Sequence, residues 1–204
     1  MMPKDLSKAP VADRFEHLLN TISSDRFLQK KGLGNEIPFF ICPYDPREAV
    51  EMERLQKQLV NKLAKKGITV LEVNLYDLSI ELLKKEEDWE WILEEEPKIS
   101  KQELKEELQS VLDVETVLTP AIKARMDAEN FDVLFLSGIG EVYPYIRSHN
   151  VLNNLQKEAK DQPTLMFFPG EYTHSLETGA SLNLFGRLQD DKYYRAFNIY
   201  HFEI

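Results

Sequence analysis

The chain has 204 residues, 43% hydrophobic and 29% charged, proportions that suit a folded globular protein and exclude a disordered one. Its 35 acidic residues against 25 basic ones leave a net charge of −10, a field that opposes diffuse binding to nucleic-acid backbone. The single cysteine, Cys42, excludes an internal disulfide, and no apolar run reaches the roughly 18 residues that a membrane helix needs.

Val11, Phe15, Leu18, Leu19 and Ile22 recur at helical spacing and predict a first amphipathic helix. Lys31–Glu36 (KGLGNE) reads as a turn, and Ile37–Cys42 (IPFFIC) as a buried strand with Pro38 near its start. Asp45 can cap a following helix with Pro46 at its first position. Ala49, Met52, Leu55, Leu59 and Leu63 form the buried stripe of that helix, and Gly67 ends it. Ile68–Val73 is the next strand, so strand, helix and strand read as a βαβ unit with a parallel pair and a right-handed crossover.

From Leu75 to Glu129 only helices are predicted, with stripes at Leu78, Leu82 and Leu83, then Leu104, Leu108 and Leu112, then Val117, Ala121 and Ile122. Pro97 divides this helical insertion, residues 75–130, into two halves. Between Lys84 and Glu107 ten acidic residues face five lysines, so half of the net charge sits in one short stretch. Strand alternation resumes at Phe131–Leu136 (FDVLFL), followed by a helix near His149–Lys160 and a strand at Thr164–Phe168 that ends at Pro169-Gly170. The tail, Leu182–Ile204, carries Tyr194, Phe197, Ile199, Tyr200 and Phe202 and predicts one or two further strands. The expected fold is a single α/β domain with a mostly parallel sheet of about five strands flanked by helices. Met1–Pro10 lacks an apolar signal core, so a flexible terminus and a cytoplasmic location are expected.

Open parallel sheets bind ligands outside the C-terminal ends of their strands. That rule nominates Gly138, Gly140, Glu141, Arg147, His149, Glu171 and His174 as a candidate ligand rim. A phosphate loop needs Gly-x4-Gly-Lys-Ser/Thr so that backbone N–H groups cradle the anion, and the chain contains no such run. Where one would follow the first strand stands Pro43-Tyr44-Asp45. Ser137 lacks the flanking glycines of a nucleophile elbow, since Phe135 and Ile139 occupy those places; a tight turn letting the backbone approach a neighbour is the favoured reading of Ser137-Gly138-Ile139-Gly140.

Glu171, His174 and Glu177 have metal-like residue types, but their spacing gathers them on one face only in a helix, and Pro169-Gly170 and Gly179 argue for a structural loop. No metal or cofactor is therefore expected. His17, His201 and Cys42 read as packing or surface residues. Trp89, Trp91 and Ile92 lie among the acids of the insertion, and aromatic anchors ringed by charge mark a candidate partner surface. Arg187, Lys192, Tyr193, Tyr194 and Arg195 form a basic-aromatic cluster too weak to predict nucleic-acid binding.

Long runs of the chain closely resemble the BrxB family, a small component of bacteriophage exclusion (BREX) systems. The resemblance is carried by Arg14–Leu19 (RFEHLL), Gly34–Pro46 (GNEIPFFICPYDP) and Phe135–Leu155 (FLSGIGEVYPYIRSHNVLNNL). Phe167–Leu188 (FFPGEYTHSLETGASLNLFGRL) and Asp191–Ile199 (DDKYYRAFNI) complete it. It implies a part in a phage-defence machine that works beside a large ATPase, a methyltransferase and PglZ, an alkaline-phosphatase-like protein. No catalytic residue carries over, so the reading it favours is a non-enzymatic adaptor that binds PglZ. A cryptic enzyme or small-ligand domain using the Gly138/His149/His174 loops is the alternative, with nucleic-acid recognition behind it. A degenerate P-loop-like sheet would join the adaptor and ligand readings.

Overall fold

The computed structural model describes residues 6–31, 38–86, 88–175, 179–189 and 196–202. Residues 32–36 of the expected first turn lie outside them, as do Glu177 and residues 192–195 of the basic-aromatic cluster. No helix among the described residues is long and apolar enough to cross a membrane.

Segments that are apolar at nearly every position build the sheet, because both of its faces are covered. These are β1 (Phe39–Tyr44), β2 (Val70–Asn74), β3 (Val133–Ser137) and the long β4 (Thr164–Ser175). After them come β5 (Gly179–Leu184), β6 (Leu188–Gln189) and β7 (Ala196–Asn198). The parallel order is β2-β3-β4-β1-β7, five strands as expected. The first two strands are parallel but not neighbours, because β3 and β4 lie between them. The βαβ reading is thus right in direction and wrong in adjacency.

Alternation within each strand feeds two cores. Phe39, Ile41, Leu134, Leu136, Met166 and Phe168 face one side, while Phe40, Cys42, Val133, Phe135, Leu165 and Phe167 face the other. The second side is covered by α1 (Val11–Ile22), α2 (Asp25–Leu28) and α3 (Ala49–Lys65). Met52, Leu55, Leu59 and Leu63 of α3 are all buried, each contributing roughly 2 kcal/mol. Ala49, assigned to the same stripe, is exposed, because Pro46–Glu48 form a separate 3-10 turn that delays the α-helix. Gly67 (φ +78°) ends α3, with Ile68 N–H donating to Leu63 O at 3.0 Å.

The helical insertion comprises α4 (Leu75–Lys85), α5 (Asp88–Glu95), α6 (Lys101–Val111), a π-turn at Val114–Leu118 and α7 (Thr119–Ala128). α4 and α7 pack on the first side of the sheet through Leu75, Leu78 and Ile122, joined by α8 (Ser148–Leu155). α5 and α6 stand further out on a small cluster of Leu83, Ile92 and Leu112. Ser100 and Glu103 form a capping box that restarts the helix after Pro97.

One element exceeds its expected length. β4 does not stop at Pro169-Gly170 but continues to Ser175, leaving the parallel ladder at the pair Tyr44/Pro169 and entering an antiparallel ladder with β5. Proline is tolerated there because the ladder is changing partners. Phe185 N–H donates to Pro169 O at 2.8 Å and closes the junction. At the N-terminus, Leu6–Lys8 form a 3-10 turn and Ala9 is buried.

Candidate functional site

The chain leaves β1 toward the helices α1–α3, whereas it leaves β2, β3 and β4 toward the opposite face. Neighbouring strands whose connections part in this way open a crevice between them, here at the C-terminal ends of β1 and β4. A cleft of about 1470 Å³ occupies that position. Its walls include Lys8, Tyr44, Asp45 and Glu48 on the β1 side and Glu171, Phe185 and Arg187 on the β4–β5 side, with His201 at the rim.

Asp45 leaves the strand as a cap, its Oδ1 accepting from Arg47 N–H at 3.0 Å, while Arg47 Nε and Nη2 donate to the same carboxylate at 3.0 and 2.6 Å. These bonds hold the Asp45 carboxyl at about 2, well below the ordinary range. Glu48 reaches inward to Arg14 Nη2 at 2.8 Å. Arg14 is fully buried, and its Nε and Nη1 have no hydrogen-bond partner among the described residues. Beneath this pair, Cys42 Sγ lies 3.3 Å from the Tyr200 hydroxyl, and burial pushes the thiol up to about 12. A thiol so raised is protonated and unreactive, which fits a packing role for Cys42. Burial, followed by the charge of Glu141, also raises the Tyr44 hydroxyl.

The predicted rim residues separate into groups. Glu171 lines the cleft. Gly138 and Gly140 serve contacts with neighbours. Gly138 (φ +76°) leaves room for Asn74 Oδ1, which a Cβ would strike, and Gly140 lies against Phe185 and Pro169. Asn74 uses that space to cap α4, accepting from Tyr76 N–H at 2.9 Å and Asp77 N–H at 3.2 Å. Arg147 stacks over the Tyr143 ring at 5.4 Å, and His149 is buried at the start of α8. Glu171 and His174 belong to an extended strand, neither a loop nor a helix, so helical spacing does not gather them. Among the described residues no group of three metal-ligating side chains exists.

On the insertion, Ile92 is buried and Trp89 is half-buried with Lys84 Nζ 5.3 Å from its ring, whereas Trp91 and Leu93 are 44% and 52% exposed. His17 is a packing residue, its Nε2 3.1 Å from Ile199 O and its ring against Tyr200.

Sequence reasoning missed Lys8, Phe185 and His201 in the cleft and Arg14 beneath it. Only Arg14 left a signal, standing four residues before Leu18 on the apolar face of α1.

The family model described as "BREX protein BrxB" matches residues 71–199. A BREX protein BrxB of Bacillus cereus (strain H3081.97) is 34% identical over 194 residues, covering 93% of this chain and 97% of the relative. One of Escherichia coli O9:H4 (strain HS) is 28% identical over 186 residues, covering 91% and 90%. No solved structure matches. The family match over residues 71–199 and the two relatives that span nearly the whole chain establish that the chain belongs to the BrxB family, a component of BREX phage-defence systems.

Proposed function

We propose that the protein is a non-enzymatic structural or regulatory subunit of a BREX complex, and that it binds the PglZ alkaline-phosphatase-like component. The observation that carries this reading is the exposure of Trp91 and Leu93 on α5, among the acids Glu90, Glu94 and Glu96. Large apolar side chains are costly to leave in water, and an aromatic ringed by charge is the usual anatomy of a protein interface. The α5–α6 block also has little core of its own, since no α6 side chain is fully buried. A surface of that kind gains from being covered.

The alternative, a ligand domain built on the Gly138/His149/His174 loops, has weaker support. Asn74 fills the space beside Gly138, and Phe185 and Pro169 fill that beside Gly140. The test is co-expression of the tagged chain with PglZ and, separately, with each other system protein, followed by affinity capture and size-exclusion chromatography. Co-elution with PglZ is expected, together with no turnover by the isolated chain. A chain that elutes alone in every pairing refutes the adaptor reading.

A further inference from the structure

We propose that the cleft at the ends of β1 and β4 is a docking groove for an extended segment of a protein partner, which the β5–β6 turn grips through Phe185. The proposal rests on the adaptor reading but uses a different surface from the α5 helix.

Phe185 and Gly186 are the two central residues of the turn, with φ +55° and +66°, and Arg187 N–H donates to Leu184 O at 3.2 Å. The bond closes a turn inside the three-residue loop between the paired Leu184 and Leu188, and a central position with positive φ favours Gly, Asn or Asp. A phenylalanine there is a strained choice. Its ring meets Tyr143 edge-on at 6.4 Å, yet Phe185 remains 37% exposed and faces the cleft together with Leu188, also 37% exposed. The turn itself would close more easily with asparagine, so the aromatic is kept for what its ring touches: Gly140 and Tyr143 on one side and the open cleft on the other. Strain held at a cleft, with an apolar ring left in water, is what a ligand clamp requires.

The lining decides the class of ligand. A pocket for a small molecule commonly measures roughly 300–1,000 Å³, and this cleft is larger, at about 1470 Å³. Pro43 and Pro46 withhold N–H donors where a phosphate loop would offer them, and Asp45, Glu48 and Glu171 present carboxylates that repel a phosphate. Arg47 is occupied by Asp45 and Glu48 by Arg14. That leaves Lys8 and Arg187 of one sign and Glu171 of the other without ion-pair partners among the described residues. A groove with an apolar anchor point and both signs of charge complements a polypeptide segment. Its occupant carries an apolar side chain against Phe185 and Leu188, an acidic residue toward Arg187 and a basic one toward Glu171.

The test compares wild type, Phe185→Asn and Trp91→Ala in two assays: association with the co-purifying BREX component, and binding to short overlapping peptides that tile the other system proteins. Phe185→Asn relieves the turn but loses the ring's contacts with Gly140 and Tyr143, so it is expected to move the melting temperature by no more than about 5 °C and to weaken both association and peptide binding at least about tenfold. Loss of association in Trp91→Ala while Phe185→Asn stays within about twofold of wild type overturns the groove and leaves the adaptor reading standing. Binding to a peptide that depends on Phe185, without any stable complex, sustains the groove and sinks the adaptor reading. Binding of ATP or a single-stranded oligonucleotide that is lost in Arg187→Glu, with no peptide bound, overturns the proposal in favour of a phosphate ligand.

Discussion

Replacing Gly138 with alanine tests whether the Ser-Gly-Ile-Gly segment is built for packing. Two costs follow from the geometry. The left-handed backbone at φ +76° penalises any Cβ by about 1–2 kcal/mol. The new methyl also meets Asn74 Oδ1 and lies 2.9 Å from the Tyr76 nitrogen, so the Asn74 side chain must leave its capping position. Loss of that cap costs about 1 kcal/mol more. The sum, about 2–3 kcal/mol, lowers the melting temperature of a chain this size by about 5–10 °C. Urea denaturation of wild type, Gly138→Ala, Asn74→Ala and the double variant closes a double-mutant cycle. In the Asn74→Ala background the methyl displaces no cap, so the double variant should be more stable than the summed single losses by about 1 kcal/mol. Additive losses, or a Gly138→Ala cost below about 0.5 kcal/mol, refute the reasoning.

Three further outcomes are expected. Glu48→Ala strips the counter-ion from buried Arg14 and should cost about 1–3 kcal/mol, the usual loss for a broken buried pair discounted because Glu48 is 39% exposed. Arg14→Met should be milder in urea midpoints; the opposite ranking contradicts the assignment. Because burial raises the Cys42 thiol from about 9 to about 12, its share of stability is complete below about pH 9 and disappears as pH climbs toward about 12. Cys42→Ala should therefore flatten the alkaline limb of the stability profile, and iodoacetamide should modify the native thiol at pH 8 no faster than the protein unfolds. Finally, Trp91→Ala should leave stability within about 0.5 kcal/mol while Ile92→Ala costs about 2–4 kcal/mol, as chemical denaturation will report, since only the second side chain is buried.

The elements themselves were largely legible. Strands such as Val133–Ser137 announce themselves as unbroken apolar runs because the sheet is covered on both faces, and α3 as a four-residue leucine and methionine stripe because it is covered on one. What could not be read was which strand lies beside which. A parallel strand carries no mark of its neighbour, so β1 beside β4, not β2, is a matter of tertiary packing. The end of β4 is hidden in the sequence because Pro169-Gly170 ordinarily terminates a strand, and only the partner change at that point explains its continuation. The cleft was half legible for the same reason. Glu171 follows from the rule of strand ends, whereas Lys8 and His201 arrive from the two ends of the chain and Phe185 from a hairpin tip.

The position of β1 has a consequence for biosynthesis. Although made first, it is flanked by β4 and β7, so Phe39 emerges from the ribosome 125 residues before its partner Thr164. At roughly 5–20 residues per second the delay is roughly 6–25 s, during which both edges of an uncharged, aromatic strand lie open to other chains. Nascent or C-terminally truncated forms should therefore depend on chaperones far more than the finished protein does, and a truncation before residue 164 should be recovered chiefly from the insoluble fraction.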